Sequence, residues 1–251
     1  LAEKGLKTQL GLIHGPITMG RKLGPNDCVQ VPAKTAAFTS AANPADTAAL
    51  IARWETAWGP RFRPAENLLG VGMRLMGGIV HPPLALCNLT RIEFAEDWCG
   101  YGTVTESVSN LIEALDADRL AACRAYGLDL PDVVQMFGKG DPRKKTVQDT
   151  LQPLTYERTF RNGPKSVTTR YIEEEVPYHL VTIEQLARKA GVATPLLSSL
   201  VDVWNATRRK DYRIQNAMSA ALGIEAMTKD QLQALWSSGY RPATAPAEAT
   251  A

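Results

Sequence analysis

Histidine and cysteine are scarce in this sequence and long apolar runs are missing, and each shortage removes a class of protein. Its 251 residues hold four cysteines, Cys28, Cys87, Cys99 and Cys123, and three histidines. The cysteines show no CxxC pairing, and no histidine stands at zinc-ligand spacing from them, so a disulfide scaffold and a zinc module are both excluded. The four read as reduced thiols. No apolar stretch approaches the roughly 18 residues of a membrane span, and the N-terminus lacks the basic, apolar, small-residue order of a signal peptide. A cytoplasmic protein without membrane contact is therefore expected. Charge of one sign is lacking too: 28 Lys plus Arg meet 26 Asp plus Glu, a formal +2. With the charges scattered along the chain, no nucleic-acid footprint is expected, and small solutes are the natural partners. Finally, there is no phosphate-binding glycine turn. Gly70-Val71-Gly72 and Gly100-Tyr101-Gly102 lack the third glycine of a dinucleotide fingerprint and do not open a helix after a strand. P-loop, nucleophile-elbow and metal-ligand spacings are likewise missing.

What is present divides into two textures. Residues 1 to 42 read as short strands and turns, with an apolar run at Leu10 to His14 and a β-rich stretch at Cys28 to Val31. Asn43-Pro44 opens a helix whose stripe is Leu50, Ile51, Trp54 and Trp58, and Gly59-Pro60 stops it. From Pro82 onward helices dominate. Thr103 with Glu106 suggests a capping box, ahead of a long helix with Val104, Val108, Leu111 and Leu115 on one face and an expected break near Asp116. Thr182 with Gln185 suggests a second box, stapled by Val181 and Leu186 and ended by Gly191. Thr194-Pro195 starts a helix burying Leu196, Leu197, Leu200, Val201 and Trp204, and Thr228 with Gln231 caps a last short one. The tail after Pro242 has no large apolar residue and is expected to be disordered. Because the chain opens on Leu1 and enters a strand-like run at once, it reads as a fragment.

Two clusters could carry chemistry. In Gly77-Gly78-Ile79-Val80-His81-Pro82-Pro83 the prolines suit the first turn of a helix. His81 would then be its N-cap residue, at the positive end of the helix dipole and behind a flexible diglycine. An imidazole so placed suits proton transfer near neutral pH. Asn88 follows seven residues on and shares the same helix face. A turn-capping histidine without chemistry explains the spacing equally well. The second cluster is Arg170-Tyr171-Ile172-Glu173-Glu174-Glu175-Val176-Pro177-Tyr178, where Pro177 ends the acidic run at a bend. Arg170 could grip a carboxylate and one glutamate could orient an imidazole, although a solvated acidic face is the commoner outcome of such a run.

In order and separation these segments resemble the opine dehydrogenase family of the octopine/nopaline type. The resemblance lies in Val80-His81-Pro82-Pro83-Leu84-Ala85-Leu86-Cys87-Asn88, in Leu115-Asp116-Ala117-Asp118-Arg119 leading to Gly127-Leu128, and in Gly163-Pro164, Arg170-Tyr171, Glu174-Glu175 and Val176-Pro177-Tyr178. It implies a mainly α fold. Residues 1–62 would be the terminal part of an α/β (Rossmann) nucleotide-binding domain. Residues 63–240 would be an all-helical substrate-binding and catalytic domain like that of 6-phosphogluconate dehydrogenase, and residues 241–251 a disordered tail. By the same resemblance the activity would be an NAD- or NADP-dependent reductive condensation of an amino acid with an α-keto acid, through reduction of their imine, a reaction incomplete in this chain alone. His81 would be the general acid/base and Glu175 its acidic partner, with Arg170, Asn88 and Tyr178 binding substrate and the cofactor-binding residues unassigned. Family members differ in oligomeric state, and a homodimer is the assembly expected. The chain differs from the family pattern at Glu175, where Asp is common, at His179, where glycine is usual, and in lacking an asparagine within Arg74 to Gly78. A catalytically silent helical binding or dimerisation module is the alternative, and a dehydrogenase acting on small hydroxy acids is a third reading.

Overall fold

Strand-forming residues cluster at the start of the chain and helix-forming ones after it, and the computed structural model follows that division over the residues it describes, 9–15, 19–24, 26–31, 37–156 and 163–239. By contacts the chain separates into two compact units, Leu1–Leu75 with Thr228–Ala251, and Met76–Met227. The expected disordered tail and the side chain of Cys28 lie outside the described residues.

In the first unit, strands β1 (Gly11–Ile13), β2 (Met19–Gly24), β3 (Asp27–Val31) and β4 (Ala37–Ala41) precede helix α1 (Thr47–Trp58), strand β5 (Phe62–Pro64) and helix α2 (Leu68–Gly72). β2 and β3 form an antiparallel ribbon; β1, β4 and β5 form a separate sheet in the order β1-β4-β5. β1 runs antiparallel to β4, with Leu12 opposite Ser40, whereas β5 runs parallel to β4, with Ala37 opposite Phe62. Parallel neighbours need a crossover, and α1 supplies it. The helix begins where expected: Asn43 accepts from the N–H of Ala45 in a short 3-10 turn, Pro44–Asp46, and Thr47 accepts from the N–H of Ala41. Leu50 is buried and Trp54 meets Phe62 at 5.5 Å, but Trp58, expected on the buried stripe, is exposed. It is the last residue of the helix.

The second unit is helical. It contains α3 (Gly77–Cys87), α4 (Leu89–Glu93), α5 (Glu106–Ala125), α6 (Val133–Gly138), α7 (Val147–Leu151), α8 (Arg170–Glu173), α9 (Val181–Lys189), α10 (Pro195–Arg208), α11 (Tyr212–Gln215) and α12 (Ala217–Ala221). Ile79 and Leu84 of α3, Ile112 and Leu115 of α5, and Leu197 and Trp204 of α10 are fully buried and form its centre. Helix α13 (Lys229–Ser238) belongs to the first unit; its capping box of Thr228 and Gln231 is formed as read, and it lies beside the Asn43 turn. No described helix is long and apolar enough to cross a membrane. Cys87 and Cys123 are free thiols.

Three local expectations are corrected. Thr105, not Thr103, caps α5 by accepting from Val108; Thr103 sits in a preceding 3-10 turn and donates to Gly100. Nor does α5 break at Asp116. That carboxylate is fully buried but accepts from Nε of Arg119 at 2.5 Å and from the N–H of Val133 at 2.7 Å, while Arg119 donates to the carbonyl of Pro131 at 2.9 Å. One turn of helix thus carries a neutral pair that pins the loop entering α6. Thr182 caps nothing, because α9 continues from a π-helical turn, Val176–Leu180, and has no free start. Its hydroxyl donates instead to the carbonyl of Tyr178 one turn back.

Candidate active site

His81 lies inside α3 rather than at its start. The helix begins at Gly77, and Pro82 and Pro83 occupy its interior, so the expected N-cap histidine is a second-turn residue. Proline at these positions costs the bonds to the carbonyls of Gly78 and Ile79, so local sequence favours a later start. The diglycine shifts the start upstream. A Cβ on Gly77 would stand 2.5 Å from Oε1 of Glu175, and one on Gly78 2.3 Å from Cγ of His179, so only glycines let this end of α3 lie against the π turn. The pair is packed, not a flexible hinge. Alanine at Gly78 should displace His179 and destabilise the protein by about 1–3 kcal/mol, as overpacking does elsewhere; a denaturant midpoint indistinguishable from the native one would refute that contact.

Around the imidazole the geometry is specific. Nδ1 of His81 lies 3.2 Å from Oε1 of Glu175, and Nε2 lies 3.4 Å from the hydroxyl of Tyr101. Tyr171 stacks on the ring at 3.9 Å with planes 3° apart. Only 8% of His81 is exposed. Burial would raise the Glu175 carboxyl, but the hydrogen bond and charge of the facing His81 imidazole oppose it, and the carboxyl stays well below the usual carboxylate range. Glu175 is therefore an anion and can only accept, which assigns a proton to Nδ1 of His81 and, in the neutral ring, leaves the lone pair on Nε2. Burial pushes the Tyr101 phenol well above its ordinary value, so it stays protonated and donates toward that lone pair.

The other expected residues divide. Arg170 donates from Nη2 to Oε1 of Glu175 at 3.1 Å and remains 61% exposed, with guanidinium left over for an anion. Its helix, α8, is anchored by Glu173, which accepts from Lys210 at 2.6 Å and from Tyr212 at 3.2 Å. Tyr178 lies on the π turn, 47% exposed. Asn88 ends α3 two turns beyond His81, and its amide donates to the carbonyl of Leu84. It closes the helix and is not joined to the imidazole. Sequence reasoning did not anticipate Tyr101 or Tyr171 beside His81, or His179 beside Glu175. The spacing of Glu175 and His179, one turn apart, was the available signal. π turns inserted between helices often mark functional sites, and this one carries His179 and is preceded directly by Glu175.

Comparison with known proteins gives the family and the fold. The family model "NAD/NADP octopine/nopaline dehydrogenase, alpha-helical domain" matches residues 64–208, more than half of the chain. A curated relative, an opine dehydrogenase from Arthrobacter sp. (strain 1C), is 28% identical over 171 residues, 67% of this chain and 47% of that enzyme. Among solved structures, octopine dehydrogenase with NADH and L-arginine superposes with a TM-score of 0.70 at 15% identity, covering 94% of this chain and 66% of that one. The same enzyme with NADH and agmatine gives 0.66 at 14% identity, with the same coverage. The fold is thus that of a dehydrogenase's helical domain with the end of an α/β domain before it. The chain belongs to the octopine/nopaline dehydrogenase family, and it spans about half the length of the curated relative it matches.

Proposed function

We propose that the protein is an opine dehydrogenase that condenses an amino acid with an α-keto acid and reduces the resulting imine, and that this chain contributes the substrate side and the proton chemistry. The observation that carries the reading is the enclosed contact of His81 Nδ1 with Glu175 Oε1, which leaves Nε2 as the base. His81 takes a proton from the substrate ammonium, freeing the nitrogen lone pair to attack the keto carbon. The imidazolium so formed is stabilised by the Glu175 carboxylate; after attack a proton of the nitrogen passes to the alkoxide, the imidazolium protonates the resulting hydroxyl, and water leaves to give the protonated imine. The contact from Tyr101 to Nε2 is long at 3.4 Å, and the substrate nitrogen would replace it. Arg170 holds a substrate carboxylate with its exposed guanidinium edge, beside a carboxylate that already fixes its orientation. Tyr178, half exposed on the π turn, would border the substrate.

The coenzyme, NAD or NADP, would supply the hydride. The sequence has no Gly-x-Gly-x-x-Gly turn, and the described strand–turn–helix passages, β4 to α1 and β5 to α2, turn through residues 42–46 and 65–67 without a glycine, so the residues present do not cradle a dinucleotide pyrophosphate. This chain's share of the reaction is therefore binding and proton transfer. The test is coenzyme oxidation by the natural full-length protein, offered pyruvate with a panel of amino acids. Oxidation that requires both partners is expected. Coenzyme binding without oxidation for any pair would instead favour a silent helical module.

A further inference from the structure

Helix α3 starts without a cap of its own. Met76 occupies the N-cap position and offers no side-chain acceptor, so the first-turn N–H groups need partners from elsewhere. The N–H of Gly78 donates to Nδ1 of His179, 101 residues later, at 3.0 Å. The same nitrogen lies 3.6 Å from Oε2 of Glu175, beyond hydrogen-bond range. With its Nδ1 lone pair committed to Gly78, the neutral ring presents no proton to Oε2. The donors to Glu175, His81 Nδ1 and Arg170 Nη2, both meet Oε1. The arrangement leaves Nε2 of His179 buried without a partner, a costly state for a residue kept only for packing.

We propose that His179 is a positioning residue: it caps the helix that carries His81 and confines the donors of Glu175 to the oxygen that His81 uses. Two glycines and two polar residues interlock to do this, Gly78 admitting His179 and Gly77 admitting Glu175. The tautomer of His81 is thereby set from a second segment of the chain. The proposal rests on the function above only in taking His81 as the group whose positioning matters.

The experiment follows amide exchange of Gly78 and the ring-nitrogen chemical shifts of both histidines in the 15N-labelled chain, which needs no turnover. In the native protein, His179 should carry its proton on Nε2 and His81 on Nδ1. Replacing His179 by alanine should speed Gly78 exchange about fivefold or more, as expected for a lost cap, and spread His81 over both tautomers. His179→Asn, whose Oδ1 can stand where Nδ1 stood, should keep exchange within about twofold of native and keep the His81 tautomer. Unchanged exchange and ring shifts in the alanine variant, or an asparagine variant altered as much as alanine, would overturn the proposal. If alanine prevents folding, the native spectrum still decides, because a neutral His179 protonated on Nδ1 contradicts the cap.

Discussion

Replacing His81 with alanine should lower turnover of the full-length protein by about 10²- to 10⁴-fold, the range that a general acid or base commonly contributes. The ring packs under Tyr171 and is 8% exposed, so the loss must be separated from loss of structure. His81→Asn keeps a polar group at Nδ1 but no base at Nε2, and it should remain nearly as inactive as alanine while unfolding close to the native midpoint. Steady-state rates with saturating amino acid and keto acid check this. A kcat within tenfold of native in both variants would remove His81 from the chemistry. Glu175 should behave differently on titration. Its folded pKa is depressed, so whatever stability its contacts give is present above the unfolded carboxylate value of about 4.3 and lost only as the pH falls below it. An activity limb near neutral pH therefore does not belong to Glu175.

The second large effect concerns the fold. Asp116→Ala should destabilise the protein by about 3–5 kcal/mol, because it strands the fully buried Arg119 guanidinium and takes the acceptor from the Val133 N–H. An apolar exchange of both partners, Asp116→Leu with Arg119→Met, should cost less than the single change, since no unpaired charge remains inside. The N–H of Val133 and the carbonyl of Pro131 still lose their side-chain partners, so the double variant should stay below native stability. Equilibrium unfolding of both variants measures this. If the double variant were the less stable of the two, the buried pair would be a net stabiliser rather than a neutralised charge.

The parts of this structure legible in the sequence are those written in local chemistry. Asn43-Pro44, Gly191 and the Thr228–Gln231 box mark helix ends where the structure has them, because a cap is satisfied within four residues, whereas Thr194-Pro195 marks its start through the proline, with Asp118 accepting from the N–H of Leu197. The errors arise where tertiary packing overrides such signals. Pro82 and Pro83 point to a helix start at His81, yet Gly77 and Gly78 let α3 begin a turn earlier against Glu175 and His179. Thr182 and Gln185 have the spacing of a box, but a π turn feeds α9 directly and removes the free end they would cap. The pairing of His81 with Glu175 spans 94 residues, and no local rule reaches that far. It was legible only through the order of motifs shared with a family. His179 was noticed as a departure from that pattern; its role became visible only once its ring met Gly78.

The most direct test of the central claim is product identity. The full-length protein, given a 15N-labelled amino acid, pyruvate and reduced nicotinamide coenzyme, should form a secondary-amine dicarboxylate that retains the label, one equivalent for each coenzyme oxidised. Coenzyme oxidation that yields lactate while the labelled amino acid stays unchanged would contradict the account and assign the site to hydroxy acids.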